Sequence, residues 1–130
     1  MNNFDPTALE KSLGDAIYAA GVSANVFHNR PKSMEKDLSD FVVCRVSGPV
    51  RDRGALGECT FTVSLFAKNV ANMKNGAKLS VMQTKLKDIA LEFDNIVIKP
   101  YTFSPLGDVA DNHYGYHIRV INLQAFIKVS

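Results

Sequence analysis

The chain lacks a surplus of charge of either sign, lacks any long apolar run, and carries only two cysteines. Fifteen basic against thirteen acidic side chains leave a formal net charge of +2 over 130 residues. Charge so evenly balanced argues against a dedicated electrostatic surface for nucleic acid or for an anionic membrane. No apolar segment approaches the roughly 18 residues needed to cross a bilayer. The opening Met1-Asn2-Asn3-Phe4-Asp5-Pro6 has no basic stretch ahead of an apolar run, so a soluble protein made in the cytoplasm is expected.

The two cysteines, Cys44 and Cys59, fall in what read as the two strands of one hairpin. A register that sets Ser47 opposite Glu58 places Cys44 across from Phe61 and Cys59 across from Val46, with the sulfurs on a diagonal. A disulfide wants Cβ atoms about 4 Å apart, so the pair is read as two buried, reduced thiols acting as small apolar side chains.

What the chain does have is an apolar content of 46%, enough for one compact domain and too little length for two. Asp5-Pro6 is a helix-start signal. Behind it Leu9, Leu13, Ala16, Ile17 and Ala20 recur three or four apart, and Gly21 ends the pattern, which predicts a helix over about Pro6 to Ala20. Val26 to His28 reads as a short strand. The polar, proline-containing stretch Asn29 to Asp40 then reads as a surface connection long enough to touch a partner.

Phe41 to Ser47 and Glu58 to Ala67 alternate with period two. Val42, Cys44 and Val46 share one face of the first, and Cys59, Phe61, Val63 and Leu65 one face of the second, opposite Thr60, Thr62 and Ser64. The segment Gly48 to Gly57 between them, with three glycines and a proline, is expected to be an extended exposed loop. A second helix is predicted over about Asn75 to Phe93 on the spacing of Leu79, Met82, Leu86, Ile89, Ala90 and Phe93. Burying six such side chains gives about 1.5 to 3 kcal/mol each, whereas ordering each backbone residue costs about 1 to 2 kcal/mol, so this helix must dock on a sheet.

Asn95 to Tyr101 supplies another strand, Ser104 to His113 a polar loop, and Tyr116 to Val129 a long final strand. Its apolar face switches near Asn122, which implies a bulge or a change of covering partner. The predicted order is α-β-β-β-α-β-β, an α+β fold with a mostly antiparallel sheet of four to five strands and two helices packed on one face.

Candidate sites are few. His113 and His117 have helical metal-ligand spacing but lie in or near a strand, where four residues span about 13 Å. Asp108, Asp111, Asn112 and His113 cluster oxygens without the alternating ligands, turn glycine and terminal Glu of a calcium loop, and read as a solvated loop. Lys74 to Ser80 lacks the Gly-Lys-Ser/Thr run of a phosphate loop. No Gly-x-Ser-x-Gly turn supports a hydrolase. No catalysis, cofactor or metal is expected, unless a cleft brings His28, His113 or His117 beside a carboxylate.

The most concentrated positive feature is Arg51 and Arg53 around Asp52, with Arg45 on the preceding strand and Arg30 in the earlier connection. Three readings stand: phosphate contact, a solubilising loop tip, or an arm that reaches a neighbouring subunit.

Taken together, the N-terminal helix, the short strand leading to Asn29-Arg30-Pro31, the Asp40-Phe41-Val42-Val43 start of a Val-rich strand and the Leu65-Phe66-Ala67-Lys68-Asn69 end of its partner resemble the tail-completion, or tail-terminator, proteins of long-tailed phages and prophages. A long helix and two final strands complete the resemblance over nearly the full chain. It implies a structural, virion-associated subunit without catalysis. Such a subunit would form a ring, often a hexamer, at the head-proximal end of the tail tube, with tube and head-connector proteins as partners. A closed ring requires two different matching patches on each subunit, expected at Pro49 to Gly57 and Asn29 to Asp40. The alternative is a small α+β ligand-binding or regulatory module of the host, dimeric through a sheet edge such as Asn95 to Tyr101.

Overall fold

The computed structural model describes residues 6–28, 38–53, 56–93, 95–111 and 115–128. Helix α1 (Pro6–Ala19) buries Leu9, Leu13 and Ile17 completely. It is closed by Gly21 at φ +77°, where the Gly21 amide donates to the Tyr18 carbonyl at 3.0 Å and the Val22 amide to the Ile17 carbonyl at 3.4 Å. This paired bonding in a left-handed residue satisfies carbonyls that the helix end would otherwise leave open.

Strands β1 (Val26–Phe27), β2 (Asp40–Arg53) and β3 (Leu56–Lys68) follow. After helix α2 (Gly76–Leu86) come β4 (Leu91–Phe93), β5 (Ile96–Ile98), β6 (Thr102–Asp111) and β7 (Tyr116–Lys128). The main sheet runs β1-β2-β3-β7-β6, with β1 parallel to β2 and every other neighbour antiparallel. Both helices lie on one face of it. Leu9, Leu13, Ile17, Leu79, Met82 and Leu86 share one core with Val42, Cys44, Phe61, Val63, Leu65, Ile121 and Leu123. The expected α+β class, strand alternation and helix placement are those observed.

A smaller cluster occupies the opposite face at one end of the sheet, where Phe41 stacks on Phe66 with centroids 4.1 Å apart and meets Tyr116 edge-on at 5.3 Å. The Tyr116 hydroxyl donates to the Leu38 carbonyl at 2.7 Å. This cluster explains the switch of apolar face along β7. The β3–β7 register is unbroken from Leu56 to Lys128, so the switch is a change of covering partner and not a bulge.

Five expectations need correction. Gly48 to Gly57 is not an extended loop: β2 continues to Arg53 and β3 begins at Leu56, and a register shift between Ser47 and Arg51 absorbs the Gly-Pro segment as a bulge does. The hairpin register is Ser47 to Thr60, not Ser47 to Glu58, so Cys44 lies across from Val63, with three residues of strand between that position and Cys59. Both thiols are free and buried. Helix α2 ends at Leu86, because Lys87 turns to ψ 141° and Asp88 to φ 65°. The apolar spacing persists beyond it because Ile89 and Leu91 still face the core. Ser104 to Asp111 belongs to strand β6, its Pro105 and Gly107 accommodated by a second register shift between Pro105 and Asp108. Finally, Ile96–Ile98 does not join the main sheet but pairs with β4 in a separate two-stranded sheet.

Candidate functional site

Two charged clusters tie α2 to the sheet. In the first, Asp40 at the start of β2 accepts from Ser23 Oγ and, through its other oxygen, from Ser39 Oγ at 3.2 Å and Lys78 Nζ at 3.0 Å. Burial alone would push this carboxyl up, but the hydrogen bonds from Ser23 and Lys78 and the Lys78 charge outweigh it, and its pKa is lowered. In the second, Arg119 of β7 grips Asp108 of β6 with Nε at 2.7 Å and a terminal nitrogen at 2.9 Å. Its remaining nitrogen donates to Gln83 Oε1 at 3.0 Å and Ser80 Oγ at 3.3 Å, both on α2. Lys74 Nζ adds 2.9 Å to the same carboxylate. The Arg119 hydrogen bonds hold the Asp108 carboxyl down at about 2. Asp108 therefore lies in a strand with its oxygens filled by cations, and not in the oxygen-rich loop that the sequence suggested. Asn112 and His113 lie outside the described residues, as does the side chain of Asp111.

A third group brings a histidine beside a carboxylate and a thiol. His28, just past β1, brings Nδ1 within 3.5 Å of Cys44 Sγ and 3.7 Å of Glu10 Oε1, while Glu10 Oε2 accepts from the Val46 amide at 3.0 Å. The ring lies against Gly14, where an added Cβ would meet His28 Cε1 at 2.8 Å. It borders a shallow depression of about 200 Å³ lined also by Asp15, Tyr18 and Val26. This is the histidine–carboxylate proximity that would reopen the question of catalysis, with a thiol beside it. The chemistry runs the other way. Cys44 is fully buried, and burial, followed by the Glu10 charge, pushes its pKa up to about 12. A nucleophilic cysteine needs an accessible thiolate with a lowered pKa. Carboxylate and thiol also converge on the same ring nitrogen, so the imidazole cannot relay a proton from one to the other. Burial likewise pushes Cys59 to about 11. No group of three His, Cys, Asp or Glu side chains among the described residues is arranged to hold a metal ion. His117 is engaged structurally, with Nδ1 2.7 Å from Asn69 Oδ1.

The helix-free face of the main sheet is the remaining broad surface. Between the Phe41–Phe66–Tyr116 cluster at one end and Tyr101 stacked on Phe126 at the other, with centroids 4.8 Å apart, it carries mainly polar side chains. Thr62 Oγ1 donates to Asn122 Oδ1 at 3.4 Å, and the Gln124 amide to Thr102 Oγ1 at 3.0 Å. Arg45 stands exposed on this face, across from Thr62, and lines a depression of about 230 Å³ with Val43, Ser64 and Phe66. Of the other arginine-rich candidates, Arg51, Asp52 and Arg53 have their backbone in β2 opposite Glu58, Gly57 and Leu56, beyond the register shift that separates them from Arg45. Their side chains lie outside the described residues, as does the whole of Arg30.

Fold and surroundings together define an α+β domain with one helix-covered sheet face and one that no helix covers among the described residues. No protein-family model matches the chain, and no curated protein does. Among solved structures, one matches over 94% of this chain and 92% of its own, with a TM-score of 0.60 at 14% sequence identity. At that identity the likeness speaks for the fold.

Proposed function

We propose that the protein is a structural subunit of a phage or prophage tail or neck, a ring-forming protein that caps the tail tube and joins it to the head without catalysis. The observation that carries this reading is the order of elements, α-β-β-β-α followed by the closing strands, with both helices on one sheet face. That is the architecture the resemblance implies. It is supported by the condition of the cysteine nearest to a catalytic arrangement, whose thiol is buried and held protonated. The ring is expected to contact itself and the tail tube through exposed strand surfaces such as the one bearing Arg45.

The test is electron microscopy of particles from the parent phage or induced prophage after deletion of this gene. Abnormally long tails, or normal tails that fail to join heads, are the expected result. Intact infectious particles would overturn the proposal.

A further inference from the structure

The main sheet ends in two unlike edges. On one side, β1 pairs only with Val42 and Val43 of the fourteen residues of β2. Past them, the Val46 amide is satisfied by the Glu10 carboxylate, and among the described residues no strand pairs with the outer side of β2 from Ser47 to Arg53. On the other side no strand pairs with the outer edge of β6 among the described residues. Ser104 to Gly107, Val109 and Ala110 are exposed there, with Leu106 49% and Val109 57% accessible.

Natural edges are protected by charges, by proline and bulges, or by covering elements. Between Thr102 and Ala110 the only ionisable residue is Asp108, and its carboxylate is taken up by Arg119 and Lys74. Pro105 and the adjacent register shift in the middle of β6 are such devices and restrict the strands that can pair with it, but Leu106, Val109 and Ala110 stay exposed with the one nearby carboxylate already engaged.

Strand direction supplies the second argument. β2, β3, β7 and β6 alternate antiparallel, so β6 runs antiparallel to β2. A second copy placed with its β6 against the first copy's β2 continues that alternation. We propose, resting on the ring reading above, that these edges are the two halves of a head-to-tail contact, the β6 of one subunit adding antiparallel to the Ser47–Arg53 length of β2 in the next. Two different patches meeting in this way are what a closed ring requires. Thr102 stands level with Ser47 through Gln124 and Thr60, so the incoming strand must slide toward Arg53 to clear β1. Strands tilted to the ring axis provide such a stagger, as they do in closed sheets.

The test compares wild type with Leu106→Lys and Val109→Lys by size-exclusion chromatography with light scattering, with circular dichroism as the check on folding. The wild type is expected to be a ring, and each variant a folded species at least about tenfold weaker in assembly, since one charge placed on an edge opposes pairing. In addition, Leu106→Cys and Arg51→Cys proteins mixed under mild oxidation should give a disulfide between the two different chains. Rings that persist unchanged in both lysine variants, or crosslinks that form only between identical variants, would overturn the edge contact while leaving the ring reading standing. A wild type that is monomeric at every concentration would overturn both.

Discussion

Replacing Asp108 with Asn should destabilise the protein in a pH-dependent way. The carboxylate is 11% exposed and its main partner Arg119 16% exposed, so the pair is sheltered from solvent screening. Its pKa is held at about 2 against an ordinary value of 3.8. At about 1.4 kcal/mol per unit, that difference corresponds to about 2 kcal/mol of stability at neutral pH. The folded-state pKa is depressed, so the contribution is fully present above the unfolded pKa and is lost as pH falls through the folded one. The wild-type advantage over Asp108→Asn should thus be about 2 kcal/mol at pH 7, fall to roughly half near pH 3 and almost vanish near pH 2. Urea denaturation of both proteins at those pH values measures it. Hydrogen exchange should show faster opening of α2 in the variant, since Arg119 also holds Ser80 and Gln83. A difference below about 0.5 kcal/mol at pH 7, within the usual range of surface substitutions, or one that does not shrink on acidification, would refute the account.

Three further outcomes follow from the same geometry. Removing the Phe41 side chain as alanine should cost about 3 to 5 kcal/mol in chemical denaturation, because Phe41 stacks on Phe66 and abuts Tyr116 in the only buried cluster on the helix-free face among the described residues. In the native wild type neither thiol should react with a maleimide, whereas His28→Ala should expose Cys44 to labelling ahead of global unfolding. Equal protection in the variant would show that the imidazole does not cover the sulfur. The Val70–Met73 turn holds Ala71 at φ 52° and Asn72 at φ 63°, a pair of left-handed residues that favours Asn-Gly. The double change Ala71→Asn and Asn72→Gly should therefore raise stability by about 1 kcal/mol, readable as a higher denaturation midpoint.

Much of the fold was legible because its periodicities are clean. The alternation along Phe41–Ser47 and Glu58–Ala67 and the stripe through Leu9, Leu13 and Ile17 report the helix-covered side, where Val42, Cys44, Cys59, Phe61, Val63 and Leu65 are buried, whereas Phe41, Val43 and Phe66 are buried on the opposite face. Misreadings fell where local composition and long-range pairing disagreed. Gly48-Pro49 and Ser104-Pro105 read as loop chemistry, yet neighbouring strands hold both segments in the sheet through register shifts. Helix α2 was overextended because Ile89 continues its spacing after the backbone has left the helix at Lys87.

The side-chain clusters were less visible. Asp108 and Arg119 face each other only once β6 and β7 are known to be a hairpin. Glu10, His28 and Cys44 come from three elements with no shared local pattern. Had Ser104–Asp111 been read as a strand, the Asp–Arg pair across that hairpin was the one signal in the sequence that would have revealed a cluster.

The place of β7 has a consequence for how the chain comes to be. β3 is paired along its entire length with β7, Lys68 meeting Tyr116 and Leu56 meeting Lys128. A ribosome that has made β2 and β3 must still make α2 and three further strands before that second neighbour emerges. Until then the hairpin offers an alternating apolar edge with nothing beside it, the kind of intermediate that aggregates or recruits chaperones. The helix-side core is likewise incomplete, since Ile121, Leu123, Ala125 and Ile127 form part of it. Synthesis of this protein should therefore be sensitive to pauses after Lys68, and its solubility during production should be governed by how quickly β7 slots between two strands that are already waiting.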